Sequence, residues 1–314
     1  MNRIIILIGV SGSGKSTYAR HLIRTTPNNV IVSMDSARMS LFGYTENNLS
    51  LYYQDSGLQE RERMVTEFND NQIWYAIEKG YDVIADNTHL QKTYINAYKQ
   101  FGVYLHLVFM NDITQDVAIL RDIDRVKSVG RDVLAKQFKQ LQSLRDSKKF
   151  IKEIFEFNSE LTDIFETCKK VPHDPQKPDC VIFDVDNTLG HKGDRGAYEY
   201  HKAHEDSLDE SVRFVFEALY ESGEDNLIVC SGREGTEMIK KVTVDWLSSN
   251  GIWYSEIHFR KAGDMRKDWM VKAEIWRELQ KKYNIIALFD DRVQVVQTAR
   301  RLGHKVLECE RGDF

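Results

Sequence analysis

The sequence predicts an α/β protein of two domains with parallel sheets, on three observations. Short apolar runs alternate with longer amphipathic stretches along the whole chain. A glycine-rich loop follows the first run, and a pair of aspartates follows a run near residue 180, so one layout of strand and phosphate chemistry occurs twice. Between them, Val171–Lys177 and the following Pro178 hold three of the four prolines, a density that breaks helices and disfavours a central strand. The 314 residues agree with about two domains. The expected division is 1–150, a helical and proline-containing linker at 151–177, and 178–314.

In the first half, Ile4–Ile8 is an apolar strand and Lys15–Arg24 a helix. Val30–Ser33 is a short strand, and Glu60–Lys79 is a helix that stops before Gly80. Asp82–Ala85 and Val103–Met110 are strands, and Asp132–Lys149 is a helix. In the second half, Cys180–Phe183, Leu227–Cys230, Glu256–Phe259 and Ile285–Phe289 are strands. Helical stretches at 208–222, 235–249, 268–282 and 292–302 separate them.

A composition of 42% hydrophobic and 29% charged residues excludes a disordered or collagen-like chain. The longest aliphatic run, Ile4–Ile8, is too short to span a bilayer, and no small-residue cleavage site follows it, so neither membrane attachment nor a signal peptide is expected. Cys168, Cys180, Cys230 and Cys309 form no C-x-x-C pair, which points to reduced thiols and a cytoplasmic location. The net charge of -5 is uneven: residues 1–150 hold 19 Lys+Arg against 16 Asp+Glu, and residues 178–314 hold 20 against 26. The first part can accept a polyanion through a local basic patch.

Gly9, Gly14, Lys15 and Ser16 satisfy G-x-x-x-x-G-K-[ST], with Ser11, Gly12 and Ser13 inside the loop and Thr17 after it. Such a loop turns consecutive backbone N–H groups toward phosphate oxygens, and the new helix adds its positive end. Lys15 supplies a charge between the β- and γ-phosphates of ATP, and Ser16 a hydroxyl for Mg²⁺. Asp35 follows the strand Val30–Ser33. It is either a general base for an attacking hydroxyl or a helix N-cap, a role Ser36 could also take. Arg38 can hold a phosphate of the acceptor. Arg121 and Arg125 share a helical face and either close over ATP or belong to a solvated, salt-bridged helix with Asp122 and Asp124. Asp86 either supports Mg²⁺ or caps the next turn.

Asp184 and Asp186 stand two apart directly after an apolar strand. One carboxylate can attack phosphorus while the other protonates the leaving group, and both can gather round a cation. Ser231, Gly232 and Arg233 follow the next strand, Lys272 lies four past Asp268, and Asp290 and Asp291 follow the strand Ile285–Phe289. These supply the hydroxyl, lysine and metal-binding carboxylates of one site.

This series resembles the haloacid-dehalogenase phosphatase superfamily. With the first half, the chain is similar to the bacteriophage-type polynucleotide 5′-kinase/3′-phosphatase family almost end to end. The most specific segments are the P-loop, the Asp35/Arg38 pair, VIFDVDNTL, Gly193–Tyr198, SGRE at 231–234, GDMRKD at 263–268 and DDRVQVV at 290–296. The resemblance implies an N-terminal P-loop kinase domain and a C-terminal Rossmann-like phosphatase domain with a minimal cap. It implies a bifunctional end-healing enzyme that uses ATP and Mg²⁺ on RNA or DNA ends and is coupled to a nucleic-acid ligase. The 3′ ends would be phosphates, with 2′,3′-cyclic phosphates as further candidates. A phage-encoded member would act in the host cytoplasm, and homo-oligomerisation stays open. On this basis Lys15 and Ser16 bind ATP phosphates and Mg²⁺, Asp35 is the base for the 5′-hydroxyl, Arg38 holds the acceptor's 3′-phosphate, and Arg125 contacts ATP. Asp184 is the nucleophile and Asp186 the acid/base. Arg195 and Arg233 contact substrate phosphates, Asp268 and Lys272 support the aspartyl intermediate, and Asp290 and Asp291 complete the metal site.

Two features stand beside the resemblance. Asn187 takes the place of the family's glycine, and asparagine tolerates a left-handed backbone. The intervals 189–207 and 260–271 are too short for a cap domain, which needs ~50 residues, so the phosphatase site should be open, as suits a polymer end. Tyr44, Tyr52 and Tyr53 are candidates for base stacking. His201 and His204 read as polar surface, and the five tryptophans mostly as core.

Overall fold

The computed structural model describes residues 2–54, 57–110, 113–123, 128–196 and 198–312. It divides into two compact units, Met1–Glu160 and Leu161–Phe314. In the first unit the elements run β1 (Arg3–Ile8), α1 (Lys15–Thr25), β2 (Asn29–Val32), α2 (Met34–Phe42), α3 (Leu49–Tyr52) and α4 (Leu58–Glu78). They continue as β3 (Asp82–Ala85), α5 (Lys92–Ala97), β4 (Tyr104–Phe109), α6 (Gln115–Ile123), α7 (Arg131–Arg145) and α8 (Lys148–Thr167). The sheet is parallel in the order β2-β3-β1-β4. β1 is flanked on both sides, and Ile4, Ile6, Leu7 and Ile8 are fully buried. A strand covered on both faces has no polar side to show, hence its unbroken aliphatic run.

The chain leaves β1 for one side of the sheet and returns to the other, so the crevice at the carboxyl end of β1 is where ligands bind in such folds. Helix α2 falls where the sequence marks no helical run and offers only Asp35 or Ser36 as an N-cap. Ser33 caps it through the Ser36 N–H at 3.5 Å, and Gly43 closes it with a φ of 70°. The stretch predicted as one helix over 132–149 ends at Arg145 and restarts at Lys148. Of 151–177, expected as a helical and proline-containing linker, the part to Thr167 belongs to α8. Its Phe150, Ile154 and Phe157 are buried at helical spacing, and the division between the units falls within this helix.

The second unit runs β5 (Asp179–Phe183), β6 (Gly190–His191), β7 (Ser207–Leu208), α9 (Glu210–Glu221), β8 (Leu227–Glu234) and α10 (Glu237–Ser249). It continues as β9 (Glu256–Arg260), α11 (Asp268–Leu279), β10 (Asn284–Arg292), α12 (Val293–Arg301) and β11 (Val306–Gly312). Its main sheet is parallel in the order β11-β10-β5-β8-β9. Phe183 stacks on Phe289 at 4.4 Å beneath the site, in a core with Phe216, Trp246 and Leu247. β5 is central, with β8 on one side and β10 on the other, so this sheet also reverses direction at the strand that carries the aspartate pair. The β6–β7 hairpin and a 3-10 turn at Tyr200–Glu205 form the only cover inserted between β5 and α9 among the described residues. No helix of the described residues is long and apolar enough to cross a membrane.

Candidate active sites

The first site begins where β1 ends. Gly14 starts α1 with a φ of 93°, a left-handed position that favours glycine. At Gly9 a Cβ would come within 2.6 Å of Ser13 Oγ and 2.9 Å of Met110 Cβ, so only glycine lets the loop close. The Lys15 ammonium is folded across the loop base and donates to the Gly9 and Val10 carbonyls at 2.9 and 2.8 Å. Ser16 and Thr17 stand exposed in the first turn of α1. Two later helices reach the loop: Arg121 of α6 donates to the Gly12 carbonyl at 3.2 Å, and Gln137 of α7 accepts the Ser11 N–H at 2.8 Å. Arg125 lies outside the described residues. Asp86 sits at the carboxyl ends of β2 and β3, with its N–H on the Val32 carbonyl.

Asp35 and Arg38 occupy the first turns of α2, beside the same crevice. Ser33 caps that helix, so a capping role does not account for Asp35. Arg38 donates to Asp35 Oδ1 at 2.7 Å and, through Nε and Nη2, to both oxygens of Glu62 at 2.8 Å. Its guanidinium also lies 5.6 and 5.4 Å from the rings of Tyr52 and Tyr53. Burial opposes its charge, yet the Glu62 hydrogen bond and the surrounding anions hold Arg38 above its ordinary value. The Arg38 hydrogen bond in turn keeps Glu62 low. Tyr52 is buried in the α2–α4 core and takes part in that packing, while Tyr53 keeps an exposed face. Glu62 on α4 escaped the sequence reading. It lies 24 positions from Arg38, and no local spacing links the two.

The second site is assembled from the carboxyl ends of β5, β8 and β10 and from α11. Lys272 is buried and donates to Asp184 Oδ1 at 2.8 Å and Asp290 Oδ2 at 2.7 Å, with Asp268 Oδ2 at 3.4 Å. Burial works against the Lys272 charge, but Asp184, Asp268 and Asp290 more than offset it, so it stays cationic. Burial pushes Asp184 and Asp290 up and raises Asp291 to about 7, with neighbouring carboxylates adding to each rise. Asp184, Asp290 and Asp291 each place an oxygen within 4.8 Å of the others. Three buried carboxylates that repel one another, with Asp291 Oδ1 unpartnered, fit a hard divalent cation. Asn187 adopts a φ of 55°, the left-handed turn expected of it, and its amide reaches Asp291 at 3.4 Å.

Asp186 points the other way. Arg233 donates to its two oxygens at 2.9 and 2.8 Å, and Arg195 donates at 2.9 Å. Burial pushes Asp186 up, but the two arginines outweigh it and hold the carboxyl below its usual range. Both arginines are anchored on Asp206. Arg195 reaches it at 2.6 and 2.7 Å and Arg233 at 3.1 Å, while the Asp206 carbonyl accepts the Trp246 indole N–H. The Tyr200 ring lies 5.5 Å from each guanidinium. Asp268 is held in the first turn of α11 by Arg260 at 3.0 Å and by Arg292 at 3.5 Å. Its oxygen would stand 2.3 Å from a Cβ at position 232, which makes Gly232 obligatory. Ser231 is fully buried and accepts the Arg233 N–H.

The structure therefore gathers these residues into two clusters that share the turn after β5: Lys272 with Asp184, Asp268 and Asp290, beside Asp291, and Asp186 with Arg195 and Arg233. It brings Lys15, Arg121, Asp35, Arg38 and Asp86 to the carboxyl edge of the other sheet. Asp206 and Glu62 are the additions. A sign of Asp206 was available, because two buried arginines demand more than one carboxylate, but the acid-rich segment around it offered several choices.

Comparison with known proteins divides the chain in the same way. Residues 178–314 match the model of the polynucleotide kinase PNKP phosphatase domain, and residues 4–146 match the AAA domain. A protein of Autographa californica nuclear polyhedrosis virus named as a bifunctional polynucleotide kinase/RNA ligase is 25% identical over 306 residues. The match takes in 94% of this chain and 40% of that relative, so the chain spans about two fifths of the relative's length. Among solved structures, a chain of the Pnkp1/Rnl/Hen1 RNA repair complex is 27% identical, with a TM-score of 0.44 and coverage of 100% of this chain and 97% of that one.

Proposed function

We propose that this chain, which joins a P-loop domain of the AAA type to a phosphatase domain of the polynucleotide kinase family, is a bifunctional enzyme that heals the ends of broken RNA or DNA. It transfers the γ-phosphate of ATP to a 5′-hydroxyl and removes a 3′-phosphate, leaving ends ready for a ligase. The observation that carries the reading is the pairing, on one chain, of a P-loop served by Asp35 and Arg38 with an aspartate pair served by Lys272 and two arginines.

In the kinase unit, Asp35 takes the proton of the 5′-hydroxyl as that oxygen attacks the γ-phosphorus and ADP leaves. Arg38, held by Glu62, presents its guanidinium to the acceptor's own phosphate. Lys15, the loop N–H groups and Arg121 bind the ATP phosphates. Ser16 and Asp86 would hold Mg²⁺ here, which would supply neutralisation of phosphate charge.

In the phosphatase unit, a carboxylate oxygen of Asp184 attacks the 3′-phosphate. The bond from phosphorus to the 3′-oxygen breaks, and Asp186 gives its proton to that oxygen. Asp186 then takes a proton from water as the water attacks the aspartyl phosphate, releasing inorganic phosphate and restoring Asp184. Asp184, Asp290 and Asp291 would hold Mg²⁺, which supplies charge stabilisation at the transferred phosphate. Lys272 keeps Asp184 aimed and favours its ionised form against the burial that raises it. The arginines that hold Asp186 low are the groups a substrate phosphate competes for. Their transfer to the substrate lets Asp186 rise and carry the proton it must donate.

The reading is tested with a single-stranded oligoribonucleotide bearing a 5′-hydroxyl and a 3′-phosphate, incubated with protein, ATP and Mg²⁺ and read by intact mass. The proposal expects gain of a 5′-phosphate and loss of the 3′-phosphate. Turnover of small phosphate esters with neither change at the oligonucleotide ends would point instead to a metabolite kinase and phosphatase.

A further inference from the structure

A groove of about 330 Å³ in the N-terminal unit lies outside both sites. One wall is α7, which presents Lys136, Lys139 and Gln140, and the other is the start of α5, which presents Lys92. The floor is Leu90 and Leu144, both buried. No described carboxylate lines the groove. The three lysines are exposed, and Lys92 is steered into place by a 2.8 Å bond to Ser147 Oγ and by the Phe150 ring at 5.7 Å.

Two connections tie the groove to the catalytic crevice of the same unit. Gln137, next to Lys136 on α7, accepts the N–H of Ser11 in the P-loop. Leu90 and Lys92 continue the segment that leaves β3 through Asp86 and Thr88, whose carbonyl accepts the Gly9 N–H. A groove with cations on both walls and no acid, built on two elements that also brace the P-loop, is complementary to a line of phosphates. The α7 wall from Lys136 to the Ser143 level extends ~10 Å at ~1.5 Å per residue. That length spans a short run of backbone phosphates. The lysines act as point charges without base contacts, so the contact is independent of sequence.

We propose that this groove binds the phosphodiester backbone of the acceptor strand, downstream of the 5′ end being phosphorylated, and so makes the kinase prefer polynucleotides to mononucleotides. The proposal rests on the kinase reading given above and deepens it.

The test compares the full-length protein with a Lys92→Gln/Lys136→Gln/Lys139→Gln variant. The acceptors are a single-stranded 20-nucleotide 5′-hydroxyl oligonucleotide and a nucleoside 3′-monophosphate. The expected result is an acceptor KM for the oligonucleotide raised about tenfold or more at low salt, with the slope of log KM against log salt reduced by about 2, at ~0.7 per lost contact. KM for ATP, KM for the nucleoside 3′-monophosphate and phosphatase turnover of a small ester stay at wild type. Arginine at the three positions keeps the wild-type slope. An unchanged oligonucleotide KM and slope overturn the groove assignment alone. An equal rise for the mononucleotide overturns it too, because the effect would then act through the crevice. Wild-type protein that phosphorylates the nucleoside 3′-monophosphate and no oligonucleotide overturns the polynucleotide reading itself, and the groove's occupant with it.

Discussion

The two sites use ion pairs of nearly equal length in opposite surroundings. Asp35 meets Arg38 at 2.7 Å with 44% of its side chain exposed, whereas Asp184 meets Lys272 at 2.8 Å with 6% exposed. Water and salt screen the first pair, so it costs little to separate when an acceptor arrives. The second sits where charges interact strongly and cannot be left alone. The proposed kinase site is thus a set of groups that its substrates complete, and the proposed phosphatase site is already assembled.

This contrast is sharpened first by Asp184→Asn. It should lower phosphatase turnover by about 10⁴-fold or more, since the nucleophile is lost, and leave 5′-phosphorylation at wild type. Paired assays on one preparation measure both. Next, Lys272→Met strips the buried carboxylates of Asp184 and Asp290 of their lysine, while Asp268 keeps Arg260 and Arg292. We expect the C-terminal unit to lose about 3–5 kcal/mol in chemical denaturation, while the kinase activity of the folded N-terminal unit persists. A small stability change would mean that the network is more hydrated than its burial indicates.

A pH series separates the units differently. Burial holds His89 in the N-terminal unit at about 4, against an ordinary 6.5. Its neutral form therefore stabilises the fold fully above pH 6.5, and that contribution, of order 3 kcal/mol, is lost as pH falls toward 4. His304 acts in the same sense in the C-terminal unit, but Asp291, raised to about 7, acts in the opposite one. The Asp291 contribution is present below its unfolded value and is lost as pH rises through about 7. Without divalent cation, denaturation midpoints should rise clearly between pH 4 and 6.5 for the first unit and stay flatter for the second. Parallel curves would contradict this.

Two smaller effects concern the positioning residues. Asp206→Asn removes the anchor of Arg195 and Arg233 and should cost phosphatase turnover roughly 10–100-fold, in line with the loss of charge-assisted hydrogen bonds. The alkaline limb of the kcat/KM pH profile, where protonated Asp186 is lost, should move with it, because Asp186 shares those arginines. Glu62→Gln keeps part of the hydrogen bonding to the largely buried Arg38, so it should raise the acceptor KM only about three- to tenfold and leave the KM for ATP unchanged. Equal changes in both would show that Glu62 acts on the whole crevice and not through Arg38.

Much of this was legible in the sequence because the chemistry follows strand ends. Ile4–Ile8, Asp82–Ala85 and Cys180–Phe183 are buried on both faces, so they announce themselves as apolar runs, and the P-loop and the aspartate pair directly follow two of them. Where burial is one-sided the signal fades. β11 is an edge strand that alternates Glu308 and Glu310 with Leu307 and Cys309, and it was not anticipated. Helix α2 is short and weakly patterned, so Asp35 and Arg38 were recognised without the helix that orients them. Glu62 and Asp206 are defined by partners 24 and 11 or more positions away, and only the packing of α4 on α2 and of the Tyr200–Glu205 turn on α10 brings them in. Asn187 is the reverse case, since a single residue type foretold its backbone conformation.

The central claim is that one chain carries two independent phosphoryl-transfer sites. It is tested most directly by giving Asp35→Asn and Asp184→Asn proteins the same oligonucleotide with a 5′-hydroxyl and a 3′-phosphate, with ATP and Mg²⁺, and weighing the intact product. The Asp35→Asn protein should remove the 3′-phosphate without adding a 5′-phosphate, and the Asp184→Asn protein should do the reverse. Loss of both changes in either folded variant would contradict it.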